Sequence, residues 1–144
     1  MAATRPDLFD VGVSRFTNRF SEEAKERCRS EGLVRAYIPD HTLAFFRYHI
    51  DIDGASNAWR SLFLKLLSGS PVVKVESAWG FRQWYYDRLV PWVNYVPVRS
   101  DLADFIEAVE WIKAHDDEAQ KIGQAGREPR IPEQNPGSVA GPVV

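Results

Sequence analysis

The sequence predicts an α/β fold in which helices cover a small parallel sheet. Three segments, at 48–52, 72–75 and 94–98, show the short apolar or alternating patterns of β-strands. Helical periodicity follows the first and the third of them. Strands that alternate with helices are typical of parallel sheets, because a parallel pair needs a crossover connection. Three strands make a sheet the size of half of a larger fold.

The run at 48–60, YHIDIDGASNAWR, is the most informative part of the chain. Its alternating first half predicts a strand that ends at Asp53-Gly54, and a helix follows with Ser56 as its N-cap. Apolar residues recur at helical spacing until Gly69, where the helix is expected to stop. They are Trp59, Leu62, Phe63, Leu66 and Leu67.

This strand–turn–helix order predicts a phosphate site. Free backbone N–H groups at a helix start bind anions, and ligands of open α/β sheets gather at the carboxyl ends of strands. Gly54 and Ala55 would let the backbone approach a diphosphate, and the guanidinium of Arg60 could hold it. The same spacing also fits an ordinary turn formed by the Asp53 side chain, with Arg60 as a solvated helix residue.

The second and third strands complete the predicted sheet. The β-branched segment 72–75 has the character of an inner strand, and Pro97 indicates either an edge strand or a strand end. Glu76 follows the second strand at the ligand-facing edge. It could accept hydrogen bonds from ribose hydroxyls or be a solvated loop carboxylate.

Further helices are predicted before the first strand and after the third strand in the sequence. Ser21 is the expected N-cap of a charged helix through Ser30, and Ser100 that of a long amphipathic helix. Asp116 is expected to cap a second helix that ends at Gly126. Residues 1–126 are therefore predicted to form one domain, and the proline-rich segment 127–144 a disordered tail.

Composition excludes several classes of protein. A net charge of −2 over 144 residues gives no general attraction to nucleic acid, and a single cysteine excludes an internal disulfide framework. No apolar run has the length of a transmembrane segment, and no signal peptide is visible, so cytoplasm and secretory lumen both stay open. The three histidines lack metal-ligand spacing, and we expect no metal site.

Aromatic residues concentrate between 79 and 86. They could form a stacking surface for a sugar or for uracil. Core packing is the expectation for most of them, because large aromatic side chains are usually buried. The residues are Trp79, Phe81, Trp84, Tyr85 and Tyr86.

Taken together, these segments resemble glycosyltransferase family 90, which includes capsule-associated, lipopolysaccharide-modifying and protein O-glucosyltransferases. The similarity runs from about residue 7 to residue 127. The matching segments, in chain order, are Asp10-Val11-Gly12, Asp51-Ile52-Asp53-Gly54, Trp59-Arg60, 72–74, 84–87, Leu89, 91–93, 95–98 and 100–102.

The resemblance implies the C-terminal, donor-binding half of a GT-B enzyme, built from a Rossmann-like domain. Such an enzyme moves glucose or xylose from a UDP-sugar to a hydroxyl of a polysaccharide, lipopolysaccharide or protein, with no cofactor besides the donor. The expected donor-binding residues are Asp53, Gly54, Ala55, Ser56, Arg60 and Glu76. The family's catalytic base belongs to an N-terminal half that has no counterpart here, so the catalytic residue is unassigned.

Two positions depart from the family pattern. Ala58 replaces a serine four residues after the turn glycine, and Asn94 replaces a histidine. Both changes weaken the expectation of full activity, and we expect the isolated chain to be inactive. The alternative interpretation is a truncated, non-catalytic nucleotide-sugar-binding or interaction module, which pairs with a separate N-terminal half or with itself.

Overall fold

A three-stranded parallel sheet forms the centre of the fold in a computed structural model that describes residues 7–18, 20–53 and 57–128. The strands are β1 (His49–Asp51), β2 (Val72–Val75) and β3 (Val96–Val98), and they lie in the order β1-β2-β3. The register places Asp51 opposite Lys74 and Lys74 opposite Pro97. The α/β prediction is confirmed, with β2 as the inner strand and Pro97 on an edge strand.

Within the described residues, four α-helices and two short 3₁₀ helices surround the strands. The α-helices are α1 (Glu22–Ser30), α2 (Trp59–Ser68), α3 (Phe105–Ala114) and α4 (Asp116–Arg127), and the 3₁₀ helices are Asp40–Phe45 and Tyr86–Arg88. Ser21 caps α1 as predicted, since its Oγ accepts the N–H of Ala24 at 3.1 Å. Gly69 ends α2 with a φ of 80°, a left-handed conformation that glycine adopts without strain.

The predicted start of the long amphipathic helix at Ser100 is wrong, because α3 begins at Phe105. Leu102 has a φ of 61°, outside the right-handed helical region, so a helix cannot run through it. The preceding residues instead form turns in which Asp101 accepts the N–H of Ala103, and Asp104 that of Arg99. The helix therefore begins beyond the residues whose backbone N–H groups are bonded to these side chains.

The break between α3 and α4 falls where it was predicted, but Asp116 is not the cap. His115 holds the N-cap position and Asp116 is the first helical residue. Its carboxylate binds Arg47 and Tyr48 instead of the helix start. The helix continues to Arg127, one residue into the predicted tail, and residues 129–144 lie outside the described part of the chain.

The two faces of the sheet are packed differently. One face lies against α3, α4 and Phe9, and its buried residues form the larger apolar cluster. The other face is covered by α2 and by the aromatic pair Tyr85 and Tyr86, in a cluster of five buried residues. The fold therefore has a thick apolar side and a thin aromatic side.

The thin side leaves large aromatic residues at the surface. Tyr85 and Tyr86 are buried as expected, but Trp79 is 82% exposed and Trp84 76% exposed. The expectation of core packing for most aromatic residues at 79–86 is therefore wrong, since Phe81 is exposed as well. Trp59, Phe63 and Leu67 of α2 are also exposed, and only Leu62 and Leu66 of its apolar set are buried.

No helix within the described ranges is long and apolar enough to cross a membrane.

Candidate functional site

The turn between β1 and α2 is closed by the side chain of Asp53. Its Oδ1 accepts the N–H of Ala58 at 3.0 Å, and α2 begins at the next residue, Trp59. Ala58 is the N-cap, so the prediction that Ser56 caps this helix is wrong. Gly54, Ala55 and Ser56 themselves lie outside the described residues.

Arg60 lies in the first turn of α2, as the sequence predicted, and its side chain is 76% exposed. One guanidinium nitrogen is 2.7 Å from Oδ2 of Asp40, at the start of the 3₁₀ helix Asp40–Phe45. The guanidinium is thus held near the start of α2 by a carboxylate that is itself 41% exposed. An arriving anion can compete for this cation, because both partners already contact water.

Glu76 follows β2 at the same edge of the sheet as Asp53. The register pairs Asp51 with Lys74, and each acidic residue lies two positions beyond that pair. The backbone N–H of Glu76 donates to the carbonyl of Val98 at 2.8 Å, and its side chain is exposed. This geometry presents the carboxylate to solvent, as binding of ribose hydroxyls would require.

A group of buried and partly buried charges lies beneath this edge, and we name it the carboxyl-edge cluster: Asp51, Asp53, Lys65 and Lys74. The side chain of Asp51 is fully buried, and its Oδ1 accepts a hydrogen bond from Nζ of Lys65 at 2.9 Å. Nζ of Lys74 is 3.7 Å from Oδ2 of Asp51 and 4.0 Å from Oδ1 of Asp53. Two carboxylates and two ammonium groups balance, as burial of charge requires.

Polar and aromatic side chains border the cluster. Nζ of Lys74 lies 4.9 Å from the ring centroid of Tyr86, a cation–π distance. Gln83 donates to Oδ1 of Asn57 at 3.2 Å. Burial raises the pKa of the Tyr86 hydroxyl above its usual range, and the nearby tyrosine and carboxylates raise it further, so the hydroxyl keeps its proton.

The sequence reasoning missed Lys65 and Lys74 as members of this edge, and it did not assign Asp51 to the site. One signal was present for Lys74, since a lysine between valines of an inner strand must be buried and needs an anion. The signal for Lys65 was weaker. It lies three residues after the buried Leu62 on α2, and residues at this spacing share a face of the helix. Pairing between these residues depends on the strand register, which the sequence pattern alone does not set.

Asn94 has a structural role away from this edge. Its Oδ1 accepts the N–H of Val90 at 2.9 Å, and its Nδ2 donates to the carbonyl of Ala125 in α4 at 2.7 Å. The neutral amide, 5% exposed, satisfies both groups. The asparagine at this position therefore links the loop before β3 to α4 through hydrogen bonds.

Comparison with known proteins gives a family match over nearly the whole chain. The profile of the family described as "Glycosyl transferase family 90" matches residues 2–129. This match confirms the resemblance to glycosyltransferase family 90 that the sequence motifs indicated.

Curated relatives are similar over much of this chain. Identity is 42% over 83 residues with Protein O-glucosyltransferase 2 of Danio rerio, covering 58% of this chain and 16% of that protein. It is 31% over 127 residues with Protein O-glucosyltransferase 3 of Mus musculus, covering 88% and 24%. It is 30% over 129 residues with Uncharacterized protein 035R of Invertebrate iridescent virus 3, covering 86% and 12%. The chain therefore spans less than a quarter of the length of each of these three relatives.

Proposed function

The chain belongs to glycosyl transferase family 90, and we propose that it supplies the donor-binding half of a UDP-sugar-dependent glycosyltransferase of GT-B architecture. The reaction is transfer of glucose or xylose to a hydroxyl of a polysaccharide, lipopolysaccharide or protein. Two of the similar proteins are named protein O-glucosyltransferases. Their names favour glucose as the sugar and a protein as the acceptor.

The convergence of Arg60 with the start of α2 at the carboxyl end of β1 is the observation on which this proposal rests. Departure of UDP leaves negative charge on the diphosphate, which a helix N-terminus and a guanidinium stabilise. Glu76 lies at the neighbouring strand end, where it would accept hydrogen bonds from the ribose. These three features suit a nucleotide diphosphate better than any uncharged ligand.

Two carboxylates already pair with the guanidinium of Arg60 and with a backbone N–H group at the start of α2. Asp53 accepts the N–H of Ala58, and Asp40 is paired with Arg60. A donor diphosphate would take Arg60 from Asp40. That exchange is easy, because an exposed ion pair contributes only about 0–1 kcal/mol. Asp53 would keep its place as the residue that shapes the turn.

A general base must also deprotonate the acceptor hydroxyl. No described residue is assigned this role, since the carboxylates at the donor edge are paired or placed for the nucleotide. We therefore expect the 144-residue chain to bind donor but to catalyse little transfer. Efficient turnover by the purified chain would contradict this assignment of roles.

Calorimetric titration with UDP tests the proposal. We expect saturable binding that Arg60→Ala weakens about tenfold or more, equivalent to a loss on the order of 1.4 kcal/mol. Arg29→Ala is the matched control, because Arg29 is an exposed arginine in α1 that pairs with Glu26. Equal binding by wild type and Arg60→Ala would show that the donor site does not lie at this turn. Absence of UDP binding would refute the proposed function.

The exposed apolar residues favour a second candidate, a non-catalytic module that pairs with a separate N-terminal half or with a second copy of itself. Phe63, Leu67 and Trp84 line one cleft beside the end of α4. Exposed apolar surface of this kind commonly marks an interface. Sedimentation velocity tests this candidate. Self-association that Trp84→Ser abolishes would support it, whereas a monomer that binds UDP would favour the donor-binding proposal.

A further inference from the structure

Lys74 has unused hydrogen-bonding capacity at the centre of the carboxyl-edge cluster. Its ammonium carries three donors, and the side chain is 7% exposed. Its carboxylate neighbours stand at 3.7 and 4.0 Å, beyond hydrogen-bond distance, and one long bond of 3.4 Å reaches the carbonyl of Val75. The ammonium is electrically balanced but incompletely hydrogen-bonded.

Four other polar atoms around Lys74 are buried and have no hydrogen-bond partner among the described residues. They are Oδ2 of Asp51, Oδ2 of Asp53, Nδ2 of Asn57 and the hydroxyl of Tyr86. Unsatisfied buried polar atoms are uncommon, and each leaves a desolvation penalty unless something pairs with it. Four of them at one strand edge leave hydrogen-bonding capacity for water or for a polar ligand.

The mixture of atoms restricts which group can fit. Two carboxylate oxygens need donors, whereas the amide nitrogen and the ammonium need acceptors. A phosphate offers acceptors alone and would face two carboxylates, so it fits poorly. A hydroxyl both donates and accepts, and several hydroxyls on one small molecule would satisfy the set. Ordered water meets the same need while no ligand is present.

We propose that these atoms bind the hydroxyl groups of the neutral sugar that the nucleotide donor carries. The inference rests on the proposed function and deepens it by separating two regions of one site. Arg60 and the start of α2 hold the diphosphate, while Asp51, Asp53, Asn57 and Tyr86 select a hydroxyl-rich, uncharged sugar. Lys74 acts as the positioning residue that keeps the two carboxylates together.

Tyr86→Phe is the most informative variant. The hydroxyl makes no hydrogen bond of normal geometry to the described residues, although the Asn57 side chain is close enough to interact with it, so its removal should change the urea unfolding midpoint little. The matched control is Tyr85→Phe, because Tyr85 is equally buried and its hydroxyl already donates to the carbonyl of Trp59 at 3.4 Å. A merely structural hydroxyl would affect stability and not sugar binding.

Each protein, as the full chain, is titrated with UDP, UDP-glucose and methyl α-D-glucopyranoside. We expect Tyr86→Phe to bind UDP as the wild type does, and to bind UDP-glucose and the glucoside about fivefold more weakly, the effect of one hydrogen bond. Tyr85→Phe should match the wild type with all three ligands.

Unchanged binding of UDP-glucose by Tyr86→Phe would overturn the inference, and so would an equal loss in Tyr85→Phe or an equal loss of UDP. If UDP fails to bind the wild type, the proposed function fails, and the glucoside alone decides the inference. Weaker glucoside binding by Tyr86→Phe would then support a sugar site, whereas equal binding or none would exclude it.

Discussion

The two ends of β1 hold carboxylates in opposite states. At its amino end, Asp116 binds Arg47 through both carboxylate oxygens and also accepts the hydroxyl of Tyr48. At its carboxyl end, Asp51 and Asp53 each keep one buried oxygen that has no hydrogen-bond partner within the described ranges. Three residues of strand, His49–Asp51, separate a complete network from an incomplete one.

The difference separates structural from functional use of charge. The Arg47–Tyr48–Asp116 contact joins the start of β1 to the start of α4, and both oxygens of its carboxylate accept hydrogen bonds from protein side chains. The carboxyl-edge cluster is deeper and less complete, although unsatisfied buried polar atoms are destabilising. Local rules are most often broken at functional sites, which agrees with a ligand position at this end of the strand.

The largest expected effect comes from breaking the buried pair at the carboxyl end. Lys65→Met leaves the carboxylate of Asp51 without its 2.9 Å partner in a fully buried position. We expect the free energy of unfolding to fall by about 3 kcal/mol, because an uncompensated buried charge remains. Urea denaturation measures this loss. Arg47→Met, at the amino end, should destabilise less, since Arg47 is 65% exposed.

A second variant sharpens this comparison. Replacing both partners, as Lys65→Met with Asp51→Leu, should recover much of the lost stability, because no unpaired charge is left. A single Lys65→Met variant as stable as the wild type would show that Lys74 alone compensates Asp51.

Acid unfolding should resolve two titrations near β1. Burial, and then the charge of Lys65, lowers the pKa of His49 from 6.5 to about 4. The unfolded chain therefore gains a proton first, and stability should fall by roughly 2–3 kcal/mol as the pH drops from 6.5 to 4. His49→Gln should flatten the stability profile in that window. An unchanged profile in this variant would mean that another group titrates there.

At lower pH, the titration of Asp116 is expected to control the stability of the fold. Hydrogen bonds from Arg47 and then Tyr48 lower the pKa of Asp116 from 3.8 to about 2. Its stabilising contribution is present above pH 3.8 and disappears as the pH falls toward 2. Asp116→Asn should remove this part of the acid profile, which denaturation at fixed pH values would detect. A wild-type profile in the variant would contradict the assignment.

The smallest expected effect concerns the exposed pair that holds Arg60. Asp40→Asn should raise the affinity for UDP about two- to fivefold, because the guanidinium no longer has to leave a carboxylate. Titration calorimetry checks it. Adding Asp40→Asn to Arg60→Ala should change nothing, and a gain in that double variant would show that Asp40 acts on the site in another way.

Much of the fold could be predicted from the sequence because its signals are local. The β-branched run before Glu76, the cap at Ser21 and the stop at Gly69 each depend on residues that are neighbours in the chain. The start of α3 was missed because Asp101 and Asp104 bond to nearby backbone N–H groups. A hydrophobic stripe does not reveal that competition.

The candidate site was only partly predictable. Asp53, Arg60 and Glu76 lie at the strand ends and helix start where the motif placed them. Whether they bind a donor stays a prediction, as does the contribution of Gly54, Ala55 and Ser56. The buried lysines were missed because Lys65 and Lys74 meet Asp51 only after α2 folds against the sheet. Such pairing is a property of the tertiary structure.

Mapping UDP onto the backbone amides of the ¹⁵N-labelled chain tests the central claim most directly, that the carboxyl end of β1 binds the donor and the amino end does not. We predict chemical-shift changes concentrated at Asp53, at the first turn of α2 and at Glu76, with none at Arg47, Tyr48 or Asp116. Shifts centred on the Arg47–Tyr48–Asp116 contact, or an unchanged spectrum at saturating UDP, would contradict it.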